Sequence, residues 1–141
     1  MKVIIGADHA GYEMKEYIKK HLKADIKDVS EKVKEGDDYP DHVSRLVKEM
    51  RKDKKAKGML VCGTGVGVCI AANRHKGIRA ALLSNEYITK KARSSNDANV
   101  ACFSGWKFSK EKAVKLARLF LKTPFDRKKR RIRRIKKLDR L

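Results

Sequence analysis

The stretch VCGTGVGVCIAAN, residues 61–73, places glycines at positions 63, 65 and 67 between a cysteine and a short apolar run. Glycine at this density indicates an unusual backbone path, because a residue without Cβ accepts positive φ and lets a ligand approach the main chain. Gly58–Cys62 has the pattern of a buried strand, and Gly67–His75 has that of a helix opened by the glycines. The stretch therefore predicts a strand-to-helix turn with Cys62 at its edge.

Strand and helix patterns alternate through the rest of the chain. Four more strands are expected at Lys2–Gly6, Asp25–Val29, Arg79–Leu83 and Asn99–Phe103, and helices at Tyr12–Lys23, Asp41–Lys52, Asn85–Arg93 and Ser109–Lys122. This alternation is typical of an α/β protein with a parallel sheet covered by helices on both faces. Ligands of such sheets bind outside the carboxyl ends of the strands. We therefore expect one edge to gather several strand ends: Asp8, His9, the loop before Pro40, Cys62 and the loop after Phe103.

Length and composition indicate a single globular domain spanning residues 1–141, with 41% hydrophobic and 38% charged residues. Met1–Gly6 is too short for a signal peptide, and no apolar run approaches membrane-spanning length. Three cysteines without a framework spacing indicate reduced thiols in a cytoplasmic protein, and no histidine–cysteine spacing matches a zinc site. We therefore expect no metal and no membrane partner.

The net charge of +20 is concentrated toward the C-terminus, where residues 125–141 carry ten lysines and arginines against two aspartates. These residues have the pattern of a basic amphipathic helix, striped by Ile132, Ile135, Leu138 and Leu141. A basic surface attracts polyanions. However, the segment has no interleaved aromatic residues beyond Phe125, and the chain contains no nucleic-acid-binding motif. Nucleic acid is therefore not the expected main partner.

The glycine stretch matches neither common phosphate-binding motif. A GxGxxG fingerprint would need glycine where the chain has Val68 or Ile70. A P-loop would need Lys and Ser or Thr after Gly11, where the chain has Tyr12 and Glu13. A nucleotide is therefore not the expected ligand.

The strand-to-helix turn remains an anion site, because free N–H groups and a helix N-terminus meet there. The positive end of the helix would stabilise a thiolate at Cys62. A thiolate beside fixed N–H donors can remove a proton next to a carbonyl while the donors hold the enediolate oxygen. The alternative is that Cys62 is a small buried residue ending a strand, as we expect for Cys69 and Cys102.

Several stretches, in order along nearly the whole chain, resemble one known family. They are GADHAGYEMK at 6–15, DYPDH at 38–42, VCGTGVGVCIAANRHKGIRAAL at 61–82 and NDANVACF at 96–103. The chain resembles ribose-5-phosphate isomerase type B, whose family includes the galactose-6-phosphate isomerase subunits. The resemblance implies a three-layer α/β/α sandwich with a five-stranded, Rossmann-like parallel sheet. It also implies homodimers or homotetramers with shared active sites, and aldose–ketose isomerisation through a cis-enediolate without cofactor or metal.

The resemblance gives the glycine stretch a catalytic role. Cys62 would be the base that moves a proton between C1 and C2 of the sugar. Thr64 would assist the thiol, and the enediolate would be held by N–H groups around Gly63, Gly65 and Gly67.

Other residues would bind the substrate. Asp8 and Tyr39 would hold sugar hydroxyls, Asn96 would contact the reactive end, and His9 would join the phosphate site. The family's C-terminal helix carries two arginines, four residues apart, that clamp the phosphate. Arg127 and Arg131 have this spacing if two glycines usual before the first are missing, and would share a helix face. Lys129 and Arg133 are the alternative register.

Two positions depart from the family pattern. Ser95 stands where the family has the histidine that opens the furanose ring, and a hydroxyl cannot replace imidazole as an acid–base at neutral pH. Trp106 stands where the family has an arginine, with Lys107 as the nearest substitute charge. We expect interconversion of ribose 5-phosphate and ribulose 5-phosphate. The alternatives are an isomerase of a different pentose or hexose phosphate, or a weakly active sugar-phosphate-binding subunit.

Overall fold

The computed structural model describes all residues from Met1 to Leu141. Its strands are β1 (Lys2–Ala7), β2 (Asp25–Asp28), β3 (Lys57–Cys62), β4 (Ala80–Leu82) and β5 (Val100–Ser104). Its helices are α1 (Tyr12–His21), α2 (Tyr39–Met50), α3 (Val66–Asn73), α4 (Glu86–Ser94), α5 (Lys110–Lys122) and α6 (Lys129–Leu138). All strand pairs are parallel, in the order β2-β1-β3-β5-β4. The expected five-stranded parallel sheet is confirmed.

The sheet is the middle of three layers, because alternate residues of its central strands face opposite sides. One set of inward side chains, including Val3, Met59 and Phe103, packs against α1, α4 and α5. The other set, including Ile4 and Leu60, packs against α2 and α3. Cys62 belongs to this second core, so its side chain faces the α2–α3 layer.

The register of the central strands sets which chain segments meet at the carboxyl edge. Ala7 pairs with Val61 across β1 and β3, and Cys62 pairs with Ser104 across β3 and β5. The residues that follow these strand ends are therefore neighbours, as the sequence pattern predicts.

Element boundaries differ from the sequence-based prediction by a few residues. Helix α2 begins at Tyr39 rather than Asp41, because a proline is tolerated in the first helical turn. Ser109 is the N-terminal cap of α5, and its side chain accepts a hydrogen bond from the N–H of Lys112. None of the helices combines the length and apolar character needed to cross a bilayer.

The prediction of a helix over residues 125–141 with Arg127 and Arg131 on one face is wrong in its first turn. Helix α6 begins at Lys129, and Arg127 precedes it with a φ of 57°. A left-handed residue cannot continue a right-handed helix, so Arg127 lies in the connecting segment. Both residues of the alternative register, Lys129 and Arg133, lie on α6 and are exposed.

Candidate active site

The Cys62 thiol lies at the turn between β3 and α3. The residue is buried, and its Sγ accepts a hydrogen bond from the N–H of Gly65 at 3.2 Å. The amino end of α3 begins one residue later, at Val66. An N–H donor and the positive end of a helix both favour negative charge on sulfur. The Cys62 sulfur therefore lies beside both an N–H donor and the amino end of a helix.

Gly65 is required by the shape of this turn. Its φ is +81°, a conformation that side chains rarely adopt. A Cβ there would also lie 2.6 Å from Leu82 Cδ1 and 2.9 Å from the backbone of Phe103. The exposed Thr64 hydroxyl accepts a hydrogen bond from the N–H of Val66 at 3.2 Å, which satisfies a free donor of the first turn.

The end of β5 fixes the path of the glycine loop. Ser104 Oγ donates to the carbonyl of Gly63 at 2.9 Å, and the N–H of Gly105 donates to the carbonyl of Cys62 at 2.9 Å. The N–H of Trp106 donates to the same Gly63 carbonyl at 3.0 Å. No motif in the sequence marks Ser104, because its contact with Gly63 joins residues 41 positions apart.

Two aromatic rings lie over the glycine loop. A Cβ built on Gly67 would be 2.8 Å from Tyr39 Cζ, and one built on Gly63 would be 2.7 Å from the Trp106 indole. Tyr39 is 38% exposed and Trp106 is 67% exposed. The absence of side chains at positions 63 and 67 thus makes room for two rings that border the space above Cys62.

Trp106 is the only tryptophan of the chain, so its fluorescence reports on this space. We expect a saturating sugar phosphate to shift its emission to shorter wavelength, because the bound ligand removes water from the exposed indole. Titration of the wild-type protein with ribose 5-phosphate measures the shift, and Trp106→Phe provides the blank. An unchanged spectrum under conditions where calorimetry detects binding would place the ligand away from Trp106.

Asp8 and His9 follow β1 at the same edge. Asp8 is buried, and its Oδ1 accepts a hydrogen bond from the N–H of Gly11 at 3.0 Å. His9 is partly exposed and bound to Asp37, which lies on the segment before α2. The structure thus brings together one group, called here the loop half, made of Asp8, His9, Tyr39, Cys62, Gly63, Thr64, Gly65, Gly67 and Trp106.

Asn96 and Ser95 lie beyond the amino end of β5, at the opposite end of the strands from Cys62. They precede β5, whose length from Val100 to Ser104 separates them from the level of Cys62 by roughly 13 Å or more. Asn96 is exposed and lines a cavity of about 660 Å³ beside α4 and the end of α6. The glycine loop contributes no residue to this cavity.

The two arginines lie near Ser95 rather than near Cys62. Arg131 Nη1 donates to the carbonyl of Ser94 at 3.2 Å and binds the Asp126 carboxylate. Arg127 is exposed in the segment just before α6. Ser95, Asn96, Arg127 and Arg131 therefore form a second group, called here the anion half.

The other two cysteines lie outside both halves. Cys102 is buried as expected, and burial raises the pKa of its thiol well above the usual range. Cys69 was expected to be buried but is partly exposed on α3. A hydrogen bond from Cys102 lowers the pKa of Cys69 to about 7, although burial acts in the opposite direction. Its Sγ faces the carbonyl of Ala80 at 3.6 Å, toward β4 rather than the loop half.

Comparisons with known proteins point to one family. Residues 3–138 match the family model described as Ribose/Galactose Isomerase. The chain is 39% identical over 128 residues to a probable ribose-5-phosphate isomerase B of Mycoplasma pneumoniae, which covers 88% of this chain and 84% of the relative. It is 34% identical over 132 residues to D-erythrulose-4-phosphate isomerase 2 of Mycolicibacterium smegmatis, covering 89% and 87%.

Solved structures agree with the sequence relatives. A ribose 5-phosphate isomerase crystal structure from Thermotoga maritima has a TM-score of 0.94 and 39% identity, covering 99% of this chain and 98% of that one. Ribose-5-phosphate isomerase B from Mycoplasma genitalium, solved with bound ribulose-5-phosphate, has a TM-score of 0.92 and 37% identity, covering 99% and 94%.

Proposed function

The chain belongs to the ribose/galactose isomerase family and is an aldose–ketose isomerase, and we propose that it interconverts ribose 5-phosphate and ribulose 5-phosphate with Cys62 as the base. The observation that carries this proposal is the Cys62 sulfur at the glycine turn, with the Gly65 N–H donating to it. The family resemblance indicates which reaction is catalysed, and the position of Cys62 supports its role as the base.

The reaction needs one proton to move between two carbons. In the open-chain aldose, the Cys62 thiolate removes the proton from C2, and the electron pair forms the C1–C2 double bond of an enediolate with charge on O1. N–H donors of the glycine loop stabilise that oxygen. The proton of the C2 hydroxyl then passes to O1, which leaves the charge on O2. The thiol returns the carbon proton to C1 as O2 forms the ketose carbonyl. All protons are accounted for, and the reaction needs no redox cofactor.

The loop half offers groups for the sugar hydroxyls. The Asp8 carboxylate keeps acceptor capacity beyond its hydrogen bond from the Gly11 N–H, and the hydroxyl-bearing end of the Tyr39 ring lies over Gly67. The proposed roles of these residues as sugar ligands follow the family resemblance, and their shared edge with Cys62 supports them.

We propose that the complete site forms between two copies of the chain, in a homodimer or homotetramer. The loop half and the anion half lie at opposite edges of one chain, so a second copy must supply the missing half. Helix α3 exposes Val66 by 45% and Ile70 by 60% next to the glycine loop, which suits contact with another protein surface. The phosphate would then lie between His9 of one copy and Arg127 and Arg131 of the other.

The alternatives concern the sugar and the rate. Ser95 places a hydroxyl where the family has the ring-opening imidazole, which favours either a slow enzyme on cyclic substrates, a binding subunit, or a preference for another sugar phosphate. The relative named D-erythrulose-4-phosphate isomerase 2 shows that this family includes other substrate names. Three free thiols accord with the proposed cytoplasmic location.

A panel of phosphorylated aldoses tests the proposal. We expect ketose formation from ribose 5-phosphate, measured as the initial rate for each of several tetrose, pentose and hexose phosphates. A higher kcat/KM on another member of the panel would reassign the substrate. Binding seen by thermal shift without ketose formation from any member would support the binding-subunit alternative.

A further inference from the structure

A single carboxylate joins two histidines beside the loop half. Asp37 Oδ1 accepts the backbone N–H of His9 at 3.0 Å and lies 2.8 Å from His9 Nδ1. Asp37 Oδ2 lies 2.8 Å from His42 Nε2. His42 is only 3% exposed, on the first turn of α2, whereas the His9 ring is partly exposed. The proposed mechanism uses neither Asp37 nor His42.

The neighbours of His42 settle its protonation. Arg45 Nη2 lies 2.9 Å from His42 Nδ1, and a guanidinium can only donate. The Ser30 hydroxyl lies 2.7 Å from the same nitrogen while it accepts the N–H of Ala7. His42 Nδ1 must therefore be an acceptor, and the ring proton is on Nε2, where it is donated to Asp37. His42 is a neutral donor.

Because His42 is a neutral donor, His9 is the histidine that can pair with the negative charge of Asp37. Both hydrogen bonds from His9 reach Asp37 Oδ1, so the ring proton on Nδ1 is fixed and Nε2 is left to reach a ligand. The hydrogen bond to Asp37 raises the pKa of His9 while burial lowers it, and the charges of Asp8 and Glu35 also raise it. Burial disfavours the ionised carboxylate, but hydrogen bonds from His9 and His42 lower the pKa of Asp37 to about 2.

We infer that Asp37 and His42 are positioning residues that orient the His9 ring toward the substrate phosphate and pair it with a fixed carboxylate. The buried His42 fixes the carboxylate through Oδ2, and the carboxylate fixes the ring and the charge of His9 through Oδ1. An imidazolium with its Nδ1–H already bound offers one donor, Nε2–H, in a set direction. This inference rests on the proposed function for the identity of the ligand, but the state of His9 can be measured without any turnover.

Histidine NMR on the wild-type protein tests the protonation pattern directly, since the chain has only four histidines. We expect the ¹⁵N shifts to identify His42 as neutral with its proton on Nε2, and His9 to titrate above the ordinary value of 6.5. A charged His42 at neutral pH, or a His9 that titrates at or below 6.5, would overturn the inference.

Asp37→Asn tests the link to phosphate, and Glu35→Gln is the matched control. Each substitution removes one negative charge near His9, but only Asp37 is hydrogen-bonded to it. Titration of the three proteins with inorganic phosphate at pH 7.5 should show an affinity about tenfold weaker for Asp37→Asn and within about twofold for Glu35→Gln, because only the first substitution removes the charge of the His9 hydrogen-bond partner.

The pH dependence gives a second criterion. His9 carries its charge below its pKa, so wild-type phosphate affinity should persist above pH 6.5 and fall as the pH rises through the raised pKa. In Asp37→Asn the fall should begin at lower pH. Equal phosphate affinity in wild type and Asp37→Asn at every pH would refute the inference, even if ribose 5-phosphate is isomerised. A weakened phosphate site in a protein that isomerises no sugar would instead refute only the proposed reaction.

Discussion

Replacing Cys62 with alanine should lower kcat/KM for ribose 5-phosphate by about 10³-fold or more, since a positioned acid–base group contributes about 10²–10⁴-fold and nothing else in the loop half can replace it. The glycine turn should survive the substitution. Cys62 Sγ accepts only the Gly65 N–H, and the turn is also held by Ser104 and Gly105. KM should change much less than kcat, because alanine removes the proton carrier and leaves the proposed sugar ligands in place.

Cys69→Ala is the matched control for this experiment. Cys69 is the thiol whose pKa lies at about 7, so ease of ionisation alone would select it as the base. Its position argues otherwise, because its Sγ faces β4 and the carbonyl of Ala80. We expect Cys69→Ala to keep near wild-type kcat. If Cys69→Ala is inactive and Cys62→Ala is active, the base has been assigned to the wrong cysteine.

The Cys62 variant also tests whether sites are shared between copies. Cys62→Ala damages the loop half, and Asn96→Ala damages the anion half at the opposite edge. When the two inactive variants are unfolded and refolded together, mixed oligomers contain one site in which both halves are intact. Recovered activity supports the shared site, whereas a mixture as inactive as its components argues for a site within one chain.

The fold could be predicted from sequence because its signals are local. Four of the five strands are short apolar runs, most helices have an apolar periodicity, and the glycine turn is contained in a few consecutive residues. The strand order was not predictable, since β5 lies between β3 and β4 through pairings distant in sequence. The start of α6 was missed because basic residues continue through Arg127, whose left-handed conformation no composition signal marks.

The sequence likewise predicted some parts of the site and missed others. Cys62 and the glycines stand in one motif, so their proximity followed from chain connectivity. The contact between His9 and Asp37 joins residues 28 positions apart, and the burial of His42 beneath them depends on the packing of α2. The strand pattern placed His9 and the loop before Pro40 at one edge of the sheet, but it does not show which side chains make contact there. The sequence did not reveal that Asn96 and Cys62 lie at opposite ends of the strands. That separation follows from the register of β3 and β5.

Ser95→His should raise kcat/KM on ribose 5-phosphate by about 10²-fold, at the lower end of what general acid–base catalysis contributes. Ser95 lies at the C-terminal end of α4, where its N–H donates to the carbonyl of Lys91 at 2.9 Å. Its hydroxyl makes no hydrogen bond, so a histidine removes no existing side-chain interaction. A new imidazole in the anion half can protonate the ring oxygen as the furanose opens.

The control is a substrate that needs no ring opening. Ribose 5-phosphate closes a furanose through its C4 hydroxyl, whereas an aldotetrose 4-phosphate has that oxygen esterified and cannot close one. Ser95→His should therefore leave kcat/KM on erythrose 4-phosphate unchanged while raising it on ribose 5-phosphate. An equal gain on both sugars would mean that the imidazole assists proton transfer instead. No gain on either would mean that the ring is opened from another position, and His9 is then the candidate to examine, because His42 is buried and its ring proton is engaged by Asp37.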